Sequence, residues 1–373
     1  MYLEPRKMRG RRKRKSSPIR VLILLILIAA GLYVITQQPN WSRPFKPTPI
    51  PTRTAQSYLV EGQAFFREGK LDEAIAAYRR ATELDPEDAT AYVRLAKLLT
   101  LRGRTSEAVD LAQRAVELDP KRAESHAMLG MALDWDGQID EAITACLRAV
   151  ELDPNSAEAH AYLAEAYVDA GRWDRALETA EDAVWLDDSS LDAHRNLGYV
   201  LEKQGDYEGA IAEYEIAVSL HPKLSYLYIG LGRNYRVLDD YDQAIAQFQK
   251  ATEVDPNNPE GYDQLGWTHY HLGDYELAII ELERAIEVDP EYASAYGHLG
   301  VIYYVKRNYE DAIPNFERAI ELGAQSEEYY YELGLSYVYL GECDQAIPWL
   351  EKALEINPDS EPAWGGLDLC EGE

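Results

Sequence analysis

Three histidines at equal intervals are the first residues in this sequence whose type and spacing suggest chemistry. His126, His160 and His194 lie 34 residues apart, and imidazole nitrogens are common zinc ligands. A zinc ion holds its ligands at about 2 Å, whereas equivalent residues of stacked helical units lie roughly 8 to 10 Å apart or more. The spacing therefore favours histidines that pack between helices, and we expect no metal and no cofactor.

The cysteines and carboxylates form no catalytic arrangement either. The chain has three cysteines and no Cys-x-x-Cys pair, which excludes zinc ribbons and thioredoxin-type redox motifs; Cys146 is expected in the core. Cys343 and Cys370 fall near the same end of two adjacent helices, where they either form a disulfide in an oxidising environment or remain free thiols. Among 65 Asp and Glu residues no pair stands out as acid and base. The sequence predicts a protein that is not an enzyme.

The elements that would position these residues repeat every 34 residues. Seven prolines mark the period: Pro86, Pro120, Pro154, Pro222, Pro256, Pro290 and Pro358. Asp188 and Ala324 occupy the two remaining points of the same grid. A fixed period of this length is typical of stacked supersecondary units. The predicted units are 53–86, 87–120, 121–154, 155–188, 189–222, 223–256, 257–290, 291–324 and 325–358.

Small residues recur at fixed places inside each unit. All nine units have alanine at the positions of Ala74 and Ala81, and Gly or Ala at the position of Gly62. Small side chains at these positions let two helices approach closely. In seven units a glycine equivalent to Gly69 would end the first helix in a left-handed conformation, and the proline would end the second helix. Each unit is therefore predicted to be a pair of helices.

This pattern of leucine, small residues and a terminal proline resembles the tetratricopeptide repeat over residues 53–358. The resemblance implies an all-α, right-handed superhelical solenoid of nine helix-turn-helix repeats. It also implies that the first helix of each pair lines the concave wall and that residues 359–373 form a partial capping helix. We expect no separate catalytic domain.

Four residues depart from the repeat pattern. Asp239 and Arg307 replace the turn glycine, and Arg307 is the harder of the two to place in a left-handed conformation. Pro314 and Pro348 fall about two turns into a second helix, where each removes an intrahelical hydrogen bond. We expect slight bends at these prolines rather than breaks.

The N-terminal residues differ in composition from the repeats. Residues 1–20 hold nine basic side chains and one acidic side chain, and residues 21–36 are uncharged. We predict a basic cytoplasmic segment at 1–20, a transmembrane signal anchor in the lipid bilayer at 21–36, and a proline-rich linker at 37–52. The positive-inside rule then places the repeats outside the cytoplasm in a single-pass membrane protein. The alternative is a cleaved signal peptide and a secreted array.

The concave wall supplies the candidate binding residues. By the resemblance, the following side chains face the groove or its edge: Arg195, Asn196, Tyr199, Tyr226, Arg233, Arg236, Trp267, Tyr270, His271, Tyr304, Tyr331 and Tyr339. Tyr, Trp and Arg are enriched in binding hot spots. We predict a scaffold that binds a protein or peptide, with the arginines meeting its acidic groups, in a role such as cell-envelope assembly. The alternative is a carbohydrate-binding scaffold in polysaccharide export.

The net charge of −28 is unevenly distributed along the chain. Residues 1–20 carry +8, and Arg43, Lys46 and Arg53 add +3, so that residues 54–373 carry −39. An excess of negative charge repels the phosphate backbone of nucleic acids. We therefore expect no nucleic acid partner, and the sequence leaves the oligomeric state open.

Overall fold

The structure is a computed structural model that describes residues 17–37 and 53–372. Within these two ranges it contains twenty α-helices and no β-strand. Helix α1 (Pro18–Gln37) belongs to one unit, residues 1–53, and the remaining helices belong to a second unit, residues 54–373. The predicted basic segment up to residue 16 and the predicted linker from residue 38 onward lie outside the described residues.

Helix α1 covers the segment that was predicted to cross a membrane. Its apolar side chains, including Leu24 and Leu27, are exposed. A run of sixteen residues rises about 24 Å as a helix, which is short of the ~30 Å hydrocarbon core. In the part of the chain that the structure describes, no helix combines the length and apolar character that a membrane crossing requires. The predicted transmembrane helix at 21–36 is therefore not supported.

The second unit is a row of nine helix pairs followed by a single helix. The helices are α2 (Ala55–Arg67), α3 (Leu71–Leu84), α4 (Ala89–Leu101), α5 (Thr105–Leu118), α6 (Ala123–Trp135), α7 (Ile139–Leu152), α8 (Ala157–Asp169), α9 (Trp173–Leu186), α10 (Leu191–Gln204), α11 (Tyr207–Leu220), α12 (Ser225–Val237), α13 (Tyr241–Val254), α14 (Pro259–Leu272), α15 (Tyr275–Val288), α16 (Ala293–Val305), α17 (Tyr309–Glu321), α18 (Glu327–Tyr339), α19 (Cys343–Ile356) and α20 (Glu361–Glu371). Each second helix packs against the first helix of the next pair. The predicted all-α solenoid is confirmed.

The helices pack closely because small residues occupy the fixed positions of the repeat. Ala74 and Ala81 are fully buried. A Cβ added to Gly232 would lie 2.6 Å from the ring of Phe248. That distance is well inside van der Waals contact, so a larger residue there would force the two helices of the pair apart.

The turns between paired helices use left-handed residues, as the sequence predicted. Gly205 has φ 87° and Gly273 has φ 81°. Asp239 (φ 59°) and Arg307 (φ 58°) adopt the same conformation, at a cost of roughly 1–2 kcal/mol for a residue with a Cβ. The packing of the helix pair therefore overrides the local preference at these two turns.

The two internal prolines do not interrupt their helices, and two of the cysteines link the last two helices. α17 continues through Pro314 and α19 through Pro348. Cys343 and Cys370 form a disulfide with their Cα atoms 5.5 Å apart. This bond links α19 to α20, which is the short capping helix, while Cys146 is a buried free thiol.

Two of the three evenly spaced histidines connect successive repeats, whereas His160 Nδ1 lies 3.0 Å from the carbonyl oxygen of Ser156 in its own repeat. His126 Nε2 lies 3.0 Å from the carbonyl oxygen of Pro120, and His194 Nε2 lies 2.9 Å from that of Asp188. Equivalent ring donors contact the same place in other repeats: Tyr228 bonds to Pro222, Tyr296 to Pro290 and Trp364 to Pro358. His, Tyr and Trp can replace one another at this position because each carries a hydrogen-bond donor at the end of a ring. Among the described residues, no cluster of potential ligands could hold a metal ion.

The buried core changes character along the solenoid. One continuous cluster extends from Leu59 to Leu227, and beyond it separate smaller clusters surround Phe248, Leu282 and Leu350. The first helices α4, α6, α8 and α10 also contact one another more extensively than the later first helices do. We refer to residues 55–227 as the N-terminal half and to residues 228–371 as the C-terminal half.

Candidate functional site

Paired charges fill the inner wall of the N-terminal half. Lys97 Nζ lies 3.0 Å from Glu158 Oε1 and 2.7 Å from Asp192 Oδ2. Arg195 Nη1 lies 2.6 Å from Glu165 Oε1, and both of these side chains are more than nine-tenths buried. Charges removed from water are stable only when they are paired in this way. The paired atoms themselves are consequently not free to meet the charges of a partner.

Four of the predicted groove residues lie within this packed wall. Arg195 is held by Glu165 of the same chain, contrary to the prediction that it meets acidic groups of a partner. Asn196 is fully buried. Tyr199 donates a hydrogen bond to Asp169 over 2.8 Å, and Tyr226 is partly buried against the core. At these positions the N-terminal half therefore presents side chains that are buried or partly buried.

Arg233 and Arg236 lie next to each other at the boundary between the halves. Arg233 Nη1 is 3.6 Å from Glu260 Oε1, and about a third of the Arg233 side chain is exposed. Arg236 Nη1 is 3.4 Å from the hydroxyl of Thr268. Burial, followed by the charge of Arg233, lowers the pKa of Arg236. These two residues are the accessible cationic part of the predicted groove.

Aromatic rings line the inner wall of the C-terminal half. Trp267 stacks on Tyr270 and on His298, with ring centroids 4.7 Å and 4.1 Å apart. Tyr339 stacks on Tyr309 with centroids 4.9 Å apart. We define the aromatic surface as Trp267, Tyr270, His271, His298, Tyr304, Tyr309 and Tyr339. It brings together five of the predicted groove residues, Trp267, Tyr270, His271, Tyr304 and Tyr339.

Sequence reasoning missed a buried carboxylate beside these rings. Glu332 is 6% exposed, and its Oε2 atom accepts no hydrogen bond from any residue in the described ranges. Burial, with a smaller contribution from Glu328, raises the pKa of Glu332 to about 8. Burial and then the charge of Glu332 raise the pKa of both Tyr270 and Tyr331. One glutamate among so many acidic residues gives no signal of its own, although Glu332 occupies the position that His298 has in the preceding repeat.

Several family models match segments of the second unit. Models described as "Tetratricopeptide repeat" match residues 59–123 and 291–359, and one described as "TPR repeat" matches residues 232–273 and 268–306. A model described as "Anaphase-promoting complex, cyclosome, subunit 3" matches residues 135–217. No curated protein matches the chain in sequence.

Solved structures share the fold at low sequence identity. A chain of the APC/C hetero-tetramer Cut9-Hcn1 is 18% identical with a TM-score of 0.65, over 85% of this chain and 64% of that chain. A human IFIT1 dimer with PPP-AAAA is 20% identical with a TM-score of 0.55, over 88% of this chain and 77% of that chain. This chain thus spans less than two thirds of the APC/C chain, and both likenesses concern the fold alone.

Proposed function

Since the chain is a tetratricopeptide repeat protein, we propose that it is a non-enzymatic scaffold whose aromatic surface binds a protein or peptide partner. The observation that carries the proposal is the accessibility of rings that already contact one another. Tyr339 is 51% exposed although it stacks on Tyr309. Pre-arranged aromatic side chains bind a partner at low entropic cost and dominate the energy of many interfaces.

Charge near the aromatic surface restricts the kind of partner. Arg233 and Arg236 lie one repeat before Trp267 and Tyr270 along the inner wall. Arg233 remains partly exposed and only loosely paired, at 3.6 Å from Glu260. A partner segment with an acidic group next to apolar or aromatic side chains fits this arrangement. Replacement of both arginines by glutamate should weaken the complex mainly by charge repulsion.

Site-directed cross-linking tests the proposed surface. A photo-reactive phenylalanine derivative is placed at position 304 or 339 of the full chain, and at position 185 as the control, because Trp185 is an 82% exposed aromatic residue on the second helix α9. We expect the same cellular protein to be cross-linked from 304 and 339 but not from 185. Equal cross-linking from all three positions would contradict the proposal.

Affinity measurements on alanine variants then show how much a single ring contributes to binding. With the cross-linked partner in hand, Tyr304→Ala should weaken binding by about 30-fold, which corresponds to a hot-spot loss of about 2 kcal/mol. Trp185→Ala should change the dissociation constant by less than about twofold, since it leaves the aromatic surface intact. An unchanged affinity for the Tyr304 variant would show that the partner binds elsewhere.

The location of the scaffold remains a prediction from the sequence. We propose that residues 1–36 hold the repeats at a membrane, outside the cytoplasm. In that location the protein would act in cell-envelope assembly. The alternative is that the N-terminal segment is cleaved and the repeats are secreted. The basic residues before α1 and the exposed apolar side chains of α1 support the membrane location. Carbonate-resistant membrane association of the full chain, lost when only residues 54–373 are expressed, is expected. Recovery of the full chain in the soluble fraction contradicts the tether, and a mature N-terminus near residue 31 indicates secretion.

The proposal also covers nucleic acid, which we expect not to bind, and carbohydrate, which is the alternative ligand. The net charge of −39 on residues 54–373 disfavours nucleic acid, so a triphosphorylated oligoadenylate, chosen because the IFIT1 neighbour holds PPP-AAAA, should not shift in a gel assay. The carbohydrate-binding alternative is tested on a glycan array. Binding that is lost with Tyr304→Ala would favour the alternative over a protein partner.

A further inference from the structure

A cavity in the second unit lies apart from the aromatic surface. Its volume is about 380 Å³, and residues from six helices line it. Four lining residues are acidic, namely Asp134, Glu165, Asp169 and Glu260, and two are arginines. The formal charge of the wall is therefore −2 when all four acids are ionised, and −1 while Asp134 keeps its proton. A wall of this sign attracts a positively charged group.

Two of the carboxylates have oxygen atoms without a donor. Asp134 is 4% exposed, and neither of its oxygens accepts a hydrogen bond from any described residue. Glu165, also 4% exposed, accepts from Trp135 Nε1 at 2.9 Å and from Arg195 at 2.6 Å, both through Oε1. Its Oε2 atom has no donor in the part of the chain that the structure describes. Buried polar atoms are normally hydrogen-bonded, so three such oxygens beside one cavity call for an explanation.

The remaining wall suits a planar cation. Trp135, Tyr199, Tyr214 and Tyr226 also line the cavity, and aromatic faces attract guanidinium and ammonium groups. Arg233 contributes an Nε atom that is buried and has no acceptor among the described residues. A ligand that carries a carbonyl oxygen near its cation could accept from this atom.

We propose that this cavity is a binding site for an arginine side chain of a peptide partner. The guanidinium donates to the free oxygens of Asp134 and Glu165, because its five N–H donors match several carboxylate oxygens at once. The peptide carbonyl next to that arginine accepts from Arg233 Nε. Trp135 and Glu260 also line a larger cleft of about 940 Å³, which gives the peptide a route to the cavity.

This site does not include the aromatic surface, although its Arg233 is also one of the two arginines proposed to meet an acidic group of the partner. None of the seven aromatic-surface residues lines the cavity. Failure of the cross-linking experiment at positions 304 and 339 would therefore leave the arginine site untouched, and the reverse also holds.

Calorimetry with a charged probe and its neutral isostere tests the proposal. The full chain is titrated with N-acetyl-arginine amide and with N-acetyl-citrulline amide, which has the same shape without the charge. We expect binding of the arginine compound and at least tenfold weaker binding of the citrulline compound. No binding of the arginine compound, or equal binding of both, would overturn the proposal.

Matched variants assign the binding to the cavity. Asp134→Asn should weaken N-acetyl-arginine amide at least tenfold, and Glu165→Gln, which keeps an acceptor for Trp135 and Arg195, should do the same. Asp182→Asn, at an exposed carboxylate of α9, serves as the control and should leave the affinity unchanged. Unchanged affinity in both cavity variants would overturn the assignment. The compound n-butylguanidinium has the cation of arginine but no peptide carbonyl. If it binds as tightly as N-acetyl-arginine amide, the proposed contact between a peptide carbonyl and Arg233 is wrong.

Proton release on ligand binding distinguishes direct contact with Asp134 from a purely structural role of this residue. Burial, and then the nearby charges of Glu165 and Asp169, raises the pKa of Asp134 to about 9, while Arg195 acts in the opposite direction; Arg233 and Glu260 face the same cavity from α12 and α14. Asp134 is therefore largely protonated at pH 8 and must lose its proton when a guanidinium binds. Titrations in two buffers of different ionisation enthalpy should show release of close to one proton. Asp134→Asn should abolish it, and the absence of release from the natural chain would contradict the role of Asp134.

Discussion

The two halves of the solenoid use the same repeat to build different inner walls. In the N-terminal half the inner helices pack on one another and enclose paired charges such as Lys97 with Asp192. In the C-terminal half the equivalent positions carry rings such as Trp267 and Tyr304, which remain partly exposed. The shared Ala, Gly and Pro residues fix the helix pair in both halves. The inner-wall residues decide whether the wall becomes interior or binding surface.

Contacts between distant repeats explain why the first wall is enclosed. Arg102 Nη1 lies 2.6 Å from Asp255 Oδ2, although 153 residues separate them. Phe66 and His221 pack with ring centroids 5.1 Å apart. The first repeats therefore contact the fifth and sixth, and the charge pairs of Lys97 and Arg195 between them are largely buried. Burial of this kind makes the charge pairs of the N-terminal half sensitive to the loss of one partner.

The largest expected effect comes from removing a buried charge of the N-terminal half. Lys97→Ala leaves Glu158 and Asp192 without their shared partner and should lower the free energy of unfolding by about 3–5 kcal/mol in urea titrations. Arg318→Ala is the control in the C-terminal half, because its pair with Glu321 is exposed. That change should cost less than about 1 kcal/mol. Equal losses in both variants would remove the contrast between the two walls.

A pair of leucine substitutions tests the difference between the cores. Leu99 in the N-terminal half and Leu282 in the C-terminal half are both fully buried. Each Leu→Ala change should cost about 2–5 kcal/mol. Because Leu99 belongs to the continuous cluster and Leu282 to a small one, hydrogen exchange should accelerate across residues 59–227 in the first variant but only near α15 and α16 in the second. The same spread of exchange in both variants would show that the cores are not separate.

Each half holds a buried acid with a raised pKa, and the pH dependence of stability should differ between the two acids. The pKa of Asp134 is about 9 and that of Glu332 about 8, so each folded-state carboxyl keeps a proton that the unfolded chain loses near pH 4. Stability from these groups therefore falls as the pH rises from about 4 towards 9. Asp134→Asn should gain about 4 kcal/mol relative to the natural chain between pH 5 and pH 8, and Glu332→Gln should gain less. Urea titrations at both pH values measure this, and a difference that does not change with pH would contradict it.

The smallest effect concerns the turns. Arg307→Gly should stabilise the C-terminal half by about 0.5–1 kcal/mol, since glycine adopts φ 58° without strain. Gly205→Arg is the reciprocal change in the N-terminal half, where no atom of the described residues lies within 4 Å of an added Cβ. It should destabilise by about 1 kcal/mol through backbone strain alone. Thermal unfolding would show opposite shifts in melting temperature, and shifts of the same sign would contradict the argument.

The helix pairs could be read from the sequence because their cause is local and repeated. Ala74 and its equivalents, the turn glycines and the terminal prolines each act within one 34-residue unit, and the resemblance to the tetratricopeptide repeat rests on those residues alone. Even the ring at the position of His126 contacts a carbonyl only six residues earlier. The predicted transmembrane helix is the exception, since the apolar run is of borderline length for a bilayer.

The inner walls depended on contacts that no local pattern contains. Arg195 and Tyr226 share the residue types of a binding groove, but the former pairs with a residue 30 positions away and the latter packs against a core that spans six repeats. Lys97 reaches Asp192 across 95 residues. Only the curvature of the solenoid brings such residues together, because it determines which inner faces meet one another and which still face water.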